Sequence, residues 1–242
     1  IAGVILALLF AVNASLLNAH AVAMSEPLYI FFSLAAFLAF SEYFTSPKNI
    51  WLIVTGILVS FAYLTRYAGL ALIATFLFAL LLLNDTWRKR LSSSAVFIVS
   101  TIPFLMGWAV RNKLVADNAT NRTLVWHPLT AENINTGVYN TSEFLAPVET
   151  WRQALVNSPM LFALIMALIT LTLLVWVTSC GLKKFFKSSS NLPEILSFTS
   201  GLYFFGYLAS IVSSMLLFDA STKFKLRILS PVYVVLLTLL VF

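Results

Sequence analysis

The chain is expected to form an all-α, polytopic transmembrane helix bundle of about eight spans. Three observations carry that expectation. Hydrophobic residues make up 60% of the 242 residues and charged residues only 10%, and mean hydropathy is +0.94. A soluble domain cannot hide so much apolar surface. The apolar residues fall into runs near the ~20 residues that cross a ~30 Å hydrocarbon core. The charges gather in the connectors between those runs.

The eight segments are residues 1–18, 28–44, 50–64, 68–84, 94–110, 159–180, 194–218 and 228–242. The first has no basic stretch before it and does not read as a cleavable signal peptide. The second is opened by Ser25-Glu26-Pro27, with Ser25 as a cap and Pro27 in the first helical turn. The third and fourth come from one apolar stretch, Ile50 to Leu83, whose single charge is Arg66. A single helix over that stretch would be about 50 Å long at ~1.5 Å per residue. Two spans meeting at Arg66 are the simpler solution. The fifth ends on Trp108, Arg111 and Asn112, an aromatic anchor followed by a boundary charge. Cys180 closes the sixth and reads as a small packing residue. One cysteine allows no internal disulfide and no cysteine metal cluster. The last follows Lys223, Lys225, Arg227 and Ser230-Pro231.

Residues 1–242 thus read as a single transmembrane domain, with 111–158 as an extracytoplasmic loop within it. Ile1 and Phe242 both lie inside apolar runs, so a fragment of a longer protein is expected. The connectors alternate in charge. Residues 45–49, 85–93 and 181–193 carry Lys48, Arg88, Lys89, Arg90, Lys183, Lys184 and Lys187. The short members of the other set carry Arg66, Lys223, Lys225 and Arg227. By the positive-inside rule the first set is cytoplasmic. Glu26, Arg66, Arg227 and the 111–158 loop then share the outer face. The net charge of +6 suits topology and anionic headgroups rather than nucleic acid, for which no motif is present.

Glu26 has two readings: complement to a helix N-terminus, or an oxygen ligand for a divalent metal at the outer face. His20, in the same connector, could assist the metal or be a polar interface residue. Arg66 could snorkel to headgroups, or hold phosphate oxygens through its paired donors. Gly69 beside it allows close helix approach. Lys223, Lys225 and Arg227 form either a solvated connector or a second cationic cluster for an anionic headgroup. Asn118, Asn121 and Asn140 open formal glycosylation sequons. There is no P-loop, dinucleotide turn, HExxH or GxSxG.

Four short motifs in order resemble the GT-C superfamily of polytopic glycosyltransferases, in its protein O-mannosyltransferase and aminoarabinose-transferase branches. They are Met24-Ser25-Glu26-Pro27-Leu28; Leu64-Thr65-Arg66-Tyr67-Ala68-Gly69-Leu70; Pro103 with Trp108 and Arg111-Asn112; and Arg227-Ile228-Leu229-Ser230-Pro231. The resemblance implies a transferase that moves a sugar from a polyprenyl-phosphate donor to a lipid, glycan or protein acceptor at the extracytoplasmic face. It implies Arg66, Arg227 and Lys225 at the donor phosphate, and Glu26 near a divalent metal. The family's catalytic Asp lies in a first outer loop, expected upstream of Ile1, so the fragment alone is expected to be inactive. The lipid bilayer is the one partner required throughout. Two other readings compete: a transporter or flippase for an anionic or lipid-linked substrate, and a structural membrane subunit. Few cysteines and compact loops fit a bacterial inner membrane.

Overall fold

The computed structural model describes residues 2–21, 25–117, 124–146, 148–187, 192–218 and 223–241. Among them there are eleven helices and no strand. They are α1 (Ala2–Val12), α2 (Ala14–Ala21), α3 (Ser25–Thr45), α4 (Asn49–Thr65), α5 (Gly69–Leu83), α6 (Trp87–Ala116), α7 (Ala131–Leu145), α8 (Glu149–Val156), α9 (Pro159–Phe186), α10 (Ile195–Leu217) and α11 (Leu226–Val241). Every predicted apolar segment is helical. Helices α3, α6, α9 and α10 are long and apolar enough to cross a membrane, and α1, α4, α5 and α11 are shorter apolar helices. The fold is an all-α polytopic bundle and the protein is an integral membrane protein.

Three expectations need correction. Segment 1–18 is not one helix: Asn13 breaks it, its side-chain oxygen accepting the Leu16 N–H at 3.0 Å as an N-terminal cap for α2. Such local capping competes with helix continuation. The fifth segment is longer than 94–110. Thr86 caps α6 by accepting from the Lys89 N–H, so Arg88, Lys89 and Arg90 belong to its first turn rather than to a connector. The 111–158 region is not a plain loop, because it holds the end of α6 and the whole of α7 and α8. Asn118, Asn121 and Pro147 lie outside the described residues.

The core sits between α3, α5 and α10. Phe76 of α5 stacks on Phe40 at 4.6 Å and meets Phe37 edge-on at 5.2 Å, both from α3. Phe37 also meets Tyr203 of α10 at 5.5 Å, and Phe97 of α6 closes on Phe76 at 6.2 Å. Lipid tails are as apolar as these side chains, so helix association depends on packing and on small residues that let backbones approach. Gly56 of α4 faces Ser100 and Thr101 of α6, and Gly206 of α10 faces Thr75 and Ala71 of α5. Several buried hydroxyls bond within their own helices, as Ser60 does to Gly56 and Thr75 to Ala71, both at 2.7 Å. That satisfies them where no water is available.

The connectors collect at two ends of the bundle. At one end Arg90, only 3% exposed, donates to the Asn84 carbonyl at 2.8 Å and the Phe185 carbonyl at 3.1 Å. Its guanidinium lies over the rings of Trp87 and Phe185. Lys184, also buried, pairs with Asp85 at 2.7 Å. These basic residues fasten α9 to the α5–α6 turn. At the other end, residues 124–129 run beside α10, where the Val125 and His127 N–H groups donate to the Leu217 and Leu216 carbonyls. There α7 rests on α11, with Phe144 stacked on Tyr233 at 4.1 Å. The Asn140 amide donates to the Phe224 carbonyl at 2.6 Å, so this sequon asparagine is committed to packing.

Gly69 is required by close approach. A Cβ there would fall 2.5 Å from the Tyr63 backbone. Gly69→Ala is expected to destabilise the protein by about 1–3 kcal/mol, the usual range for overpacking, measured by thermal unfolding in detergent. An unchanged melting temperature would show that the α4–α5 turn is not held this tightly.

Candidate functional site

Arg66 sits at the joint between α4 and α5. Its N–H donates to the Ala62 carbonyl and ends α4, and its own carbonyl accepts from the Gly69 N–H as α5 begins. This leaves the guanidinium projecting from a tight turn. Glu26 stands in the first turn of α3 and is 3% exposed. The two side chains form an ion pair through Glu26 Oε1. Burying either charge alone would cost several kcal/mol, so each needs the other. Glu26 Oε2 is buried and has no hydrogen-bond partner among the described residues.

The pair opens onto a cavity of about 620 Å³. Ser25 and Glu26 come from α3, and Arg66, Tyr67, Ala68 and Leu70 from the α4–α5 turn and the start of α5. One wall is α10, through Tyr207, Ser210, Ile211, Ser213 and Ser214, with Phe218 beyond it. Arg227 and Ile228 of α11 complete the lining. Glu26, Arg66 and Arg227 are thus brought together from three separate parts of the chain.

A set of buried tyrosines places those parts. The Tyr29 hydroxyl donates to the Ala68 carbonyl at 3.2 Å and shares a 2.7 Å hydrogen bond with Tyr203. Tyr207 lies 5.4 Å from the Tyr203 ring and donates to the Ile228 carbonyl at 2.8 Å. One end of this set holds the turn next to Arg66, and the other holds the first turn of α11 next to Arg227. Sequence reasoning passed over all three tyrosines. A signal was present: Tyr203, Tyr207, Ser210 and Ser214 recur at helical spacing along one face of α10.

Arg111 and Asn112 reach the cavity through Tyr67 and do not line it. Trp108 Nε1–H donates to the Tyr67 hydroxyl at 3.3 Å, and the Asn112 amide approaches the same oxygen at 3.5 Å. Arg111 donates to Asn112 Oδ1 at 3.3 Å and lies over the Trp108 ring at 4.9 Å. Lys225, expected at the phosphate, is exposed and does not line the cavity. It precedes α11, whereas Arg227 stands in the first turn of that helix. Its neighbour Lys223 pairs with Glu132 of α7. The hydrogen bond from that ammonium holds the Glu132 carboxyl below the usual carboxylate range.

The metal expectation meets a poor donor set. The His20 Nδ1 lies 2.8 Å from the Leu16 carbonyl and its ring packs edge-on against Phe10. Among the described residues no group of three or more His, Cys, Asp or Glu could hold a metal ion. Glu26 offers one carboxylate with one oxygen already taken by Arg66. That does not amount to a protein-built cage for a divalent ion.

Residues 1–116 match the family of dolichyl-phosphate-mannose-protein mannosyltransferases. The match supports a membrane mannosyltransferase of the GT-C type. It spans α1 to α6 and so includes Glu26, Arg66, Arg111 and Asn112, while Arg227 and the α10 wall lie beyond it. No curated protein and no solved structure matches.

Arg66→Ala alone is expected to destabilise the protein by about 3–5 kcal/mol, because it strands the Glu26 carboxylate in a buried site. Removing both partners should cost clearly less than the sum of the two single changes. Additive losses in thermal unfolding would show that the pair is not coupled.

Proposed function

We propose that this protein transfers a sugar from a polyprenyl-phosphate donor to an acceptor at the extracytoplasmic face, with Arg66 and Arg227 holding the donor phosphate. One observation carries the reading. Two arginines far apart in sequence open onto one cavity, and among the described residues Glu26 is the one acid that lines it. Glu26 pairs with Arg66 there. A polyprenyl-phosphate sugar is a phosphodiester, an anion whose oxygens accept from guanidinium donors. As the sugar–oxygen bond breaks, negative charge grows on the phosphate, and fixed cations lower the barrier by binding that charge more strongly than the ground state. The guanidinium fork suits paired phosphate oxygens.

The family match favours mannose as the sugar. Ion pairing to Arg66 suits Glu26 to orienting that arginine rather than to taking a proton from the acceptor. The acceptor's base is therefore assigned to no residue here. The charge bias between the two connector sets supports the cavity end as the outer one.

In the full-length protein, Arg227→Ala is expected to lower kcat/KM for transfer from dolichyl-phosphate-mannose by about 10²-fold, the typical effect of removing one charge-stabilising donor. Lys225→Ala is expected to change it by less than about threefold, because Lys225 does not line the cavity. Equal effects from the two changes, or none from Arg227→Ala, would contradict the assignment. Orientation has its own test. With Cys180 replaced by Ser, Asn135→Cys on α7 is expected to react with a membrane-impermeant maleimide in intact cells. Reaction only after permeabilisation would reverse the topology.

A further inference from the structure

A long arginine side chain is only as well placed as the backbone that carries it. Arg227 stands in the first turn of α11, and with Ile228 it lines the cavity. From the cavity side this turn is held by Tyr207 of α10, whose hydroxyl donates to the Ile228 carbonyl at 2.8 Å. A second hold comes from α7, which does not line the cavity.

Gly137, Asn140 and Phe144 recur at i, i+3 and i+7 and so share one face of α7. All three meet α11 or the residues leading into it. A Cβ on Gly137 would fall 3.2 Å from the Phe224 side chain, so α7 lies close against that residue. Phe144 lies flat on Tyr233, with the ring planes 5° apart. Asn140 bonds to both residues. Its side-chain amide donates to the Phe224 carbonyl at 2.6 Å, and its own carbonyl accepts from the Tyr233 hydroxyl at 2.9 Å.

Phe224 and Tyr233 bracket Arg227 in the chain. The Phe224 carbonyl lies before the helix begins, and the Ile228 N–H that would meet it in a longer helix donates to the Lys225 carbonyl instead. A backbone carbonyl outside the helical ladder needs a donor from elsewhere. The Asn140 amide is that donor.

Building on the phosphate reading of Arg227, we infer that Asn140 is a positioning residue for that arginine. From α7 it fastens the chain on either side of Arg227, while Tyr207 fastens the same turn from α10. Asn140 meets no phosphate itself; it sets where the guanidinium meets one. A misplacement of about 1 Å is enough to spoil such a contact.

The test is equilibrium binding of dolichyl phosphate to the purified full-length protein in nanodiscs, read as a double-mutant cycle. Asn140→Ala is expected to weaken binding roughly 3- to 12-fold, as for one neutral hydrogen bond. In an Arg227→Ala background it should change affinity by less than about twofold, because a residue acting through Arg227 then has nothing to act on. A merely structural role would weaken binding alike in both backgrounds. Tyr233→Phe keeps the ring on Phe144 and removes only the hydroxyl bonded to Asn140, and it decides in the same way if Asn140→Ala does not fold. If the variant binds dolichyl phosphate like wild type, or weakens it equally with and without Arg227, the positioning role is overturned while the phosphate reading stands. If Arg227→Ala alone leaves binding unaffected, or wild type does not bind, the phosphate reading falls and the positioning role falls with it.

Discussion

The structure depends on the cost of a charge inside a membrane protein. Glu26 and Arg66 stand at the ends of apolar helices, and neither tolerates burial without a counter-charge. Their pairing fixes the start of α3 against the α4–α5 turn. Gly69 allows that turn to close against Tyr63. Once the turn is fixed, the Arg66 guanidinium has one place to go, and the cavity forms around it. Tyr29, Tyr203 and Tyr207 carry the same constraint across the bundle to α11 and Arg227.

The opposite end uses the same physics for a different purpose. Arg90 and Lys184 are as buried as Glu26, yet their donors end on carbonyls, rings and Asp85. Charges that are fully met by the protein act as fasteners. The cavity end differs because, among the described residues, the buried Glu26 Oε2 has no hydrogen-bond partner and a cavity lined by Arg66 and Arg227 opens beside it. That contrast separates the candidate site from the other buried charges in the chain.

Much of this was legible in the sequence. Composition alone required a helical membrane bundle, and every apolar segment became helical, the first of them as two helices. The isolation of Arg66 in an apolar stretch implied a turn between two short helices, and α4 and α5 meet there. Connector alternation grouped Glu26, Arg66 and Arg227, and these three line one cavity. Other features were not legible for physical reasons. Segment counting cannot see that Asn13 caps a new helix, nor that α6 starts with three basic residues on its first turn, because both depend on local hydrogen bonds. Arg90 reads as a solvated loop charge until its two carbonyl partners, from different helices, are known. Lys225 and Arg227 look equivalent in sequence, and only the start of α11 separates them. The polar face of α10 was present at helical spacing, but a few tyrosines and serines in an apolar span look like noise until their partners on α3 and α11 are seen.

The most direct measurement is a cryo-EM structure of the full-length protein bound to dolichyl-phosphate-mannose. The account places the phosphate in the cavity, with oxygens within roughly 3.5 Å of both the Arg66 and Arg227 guanidinium groups. A phosphate bound elsewhere, or reached by neither arginine, would contradict it.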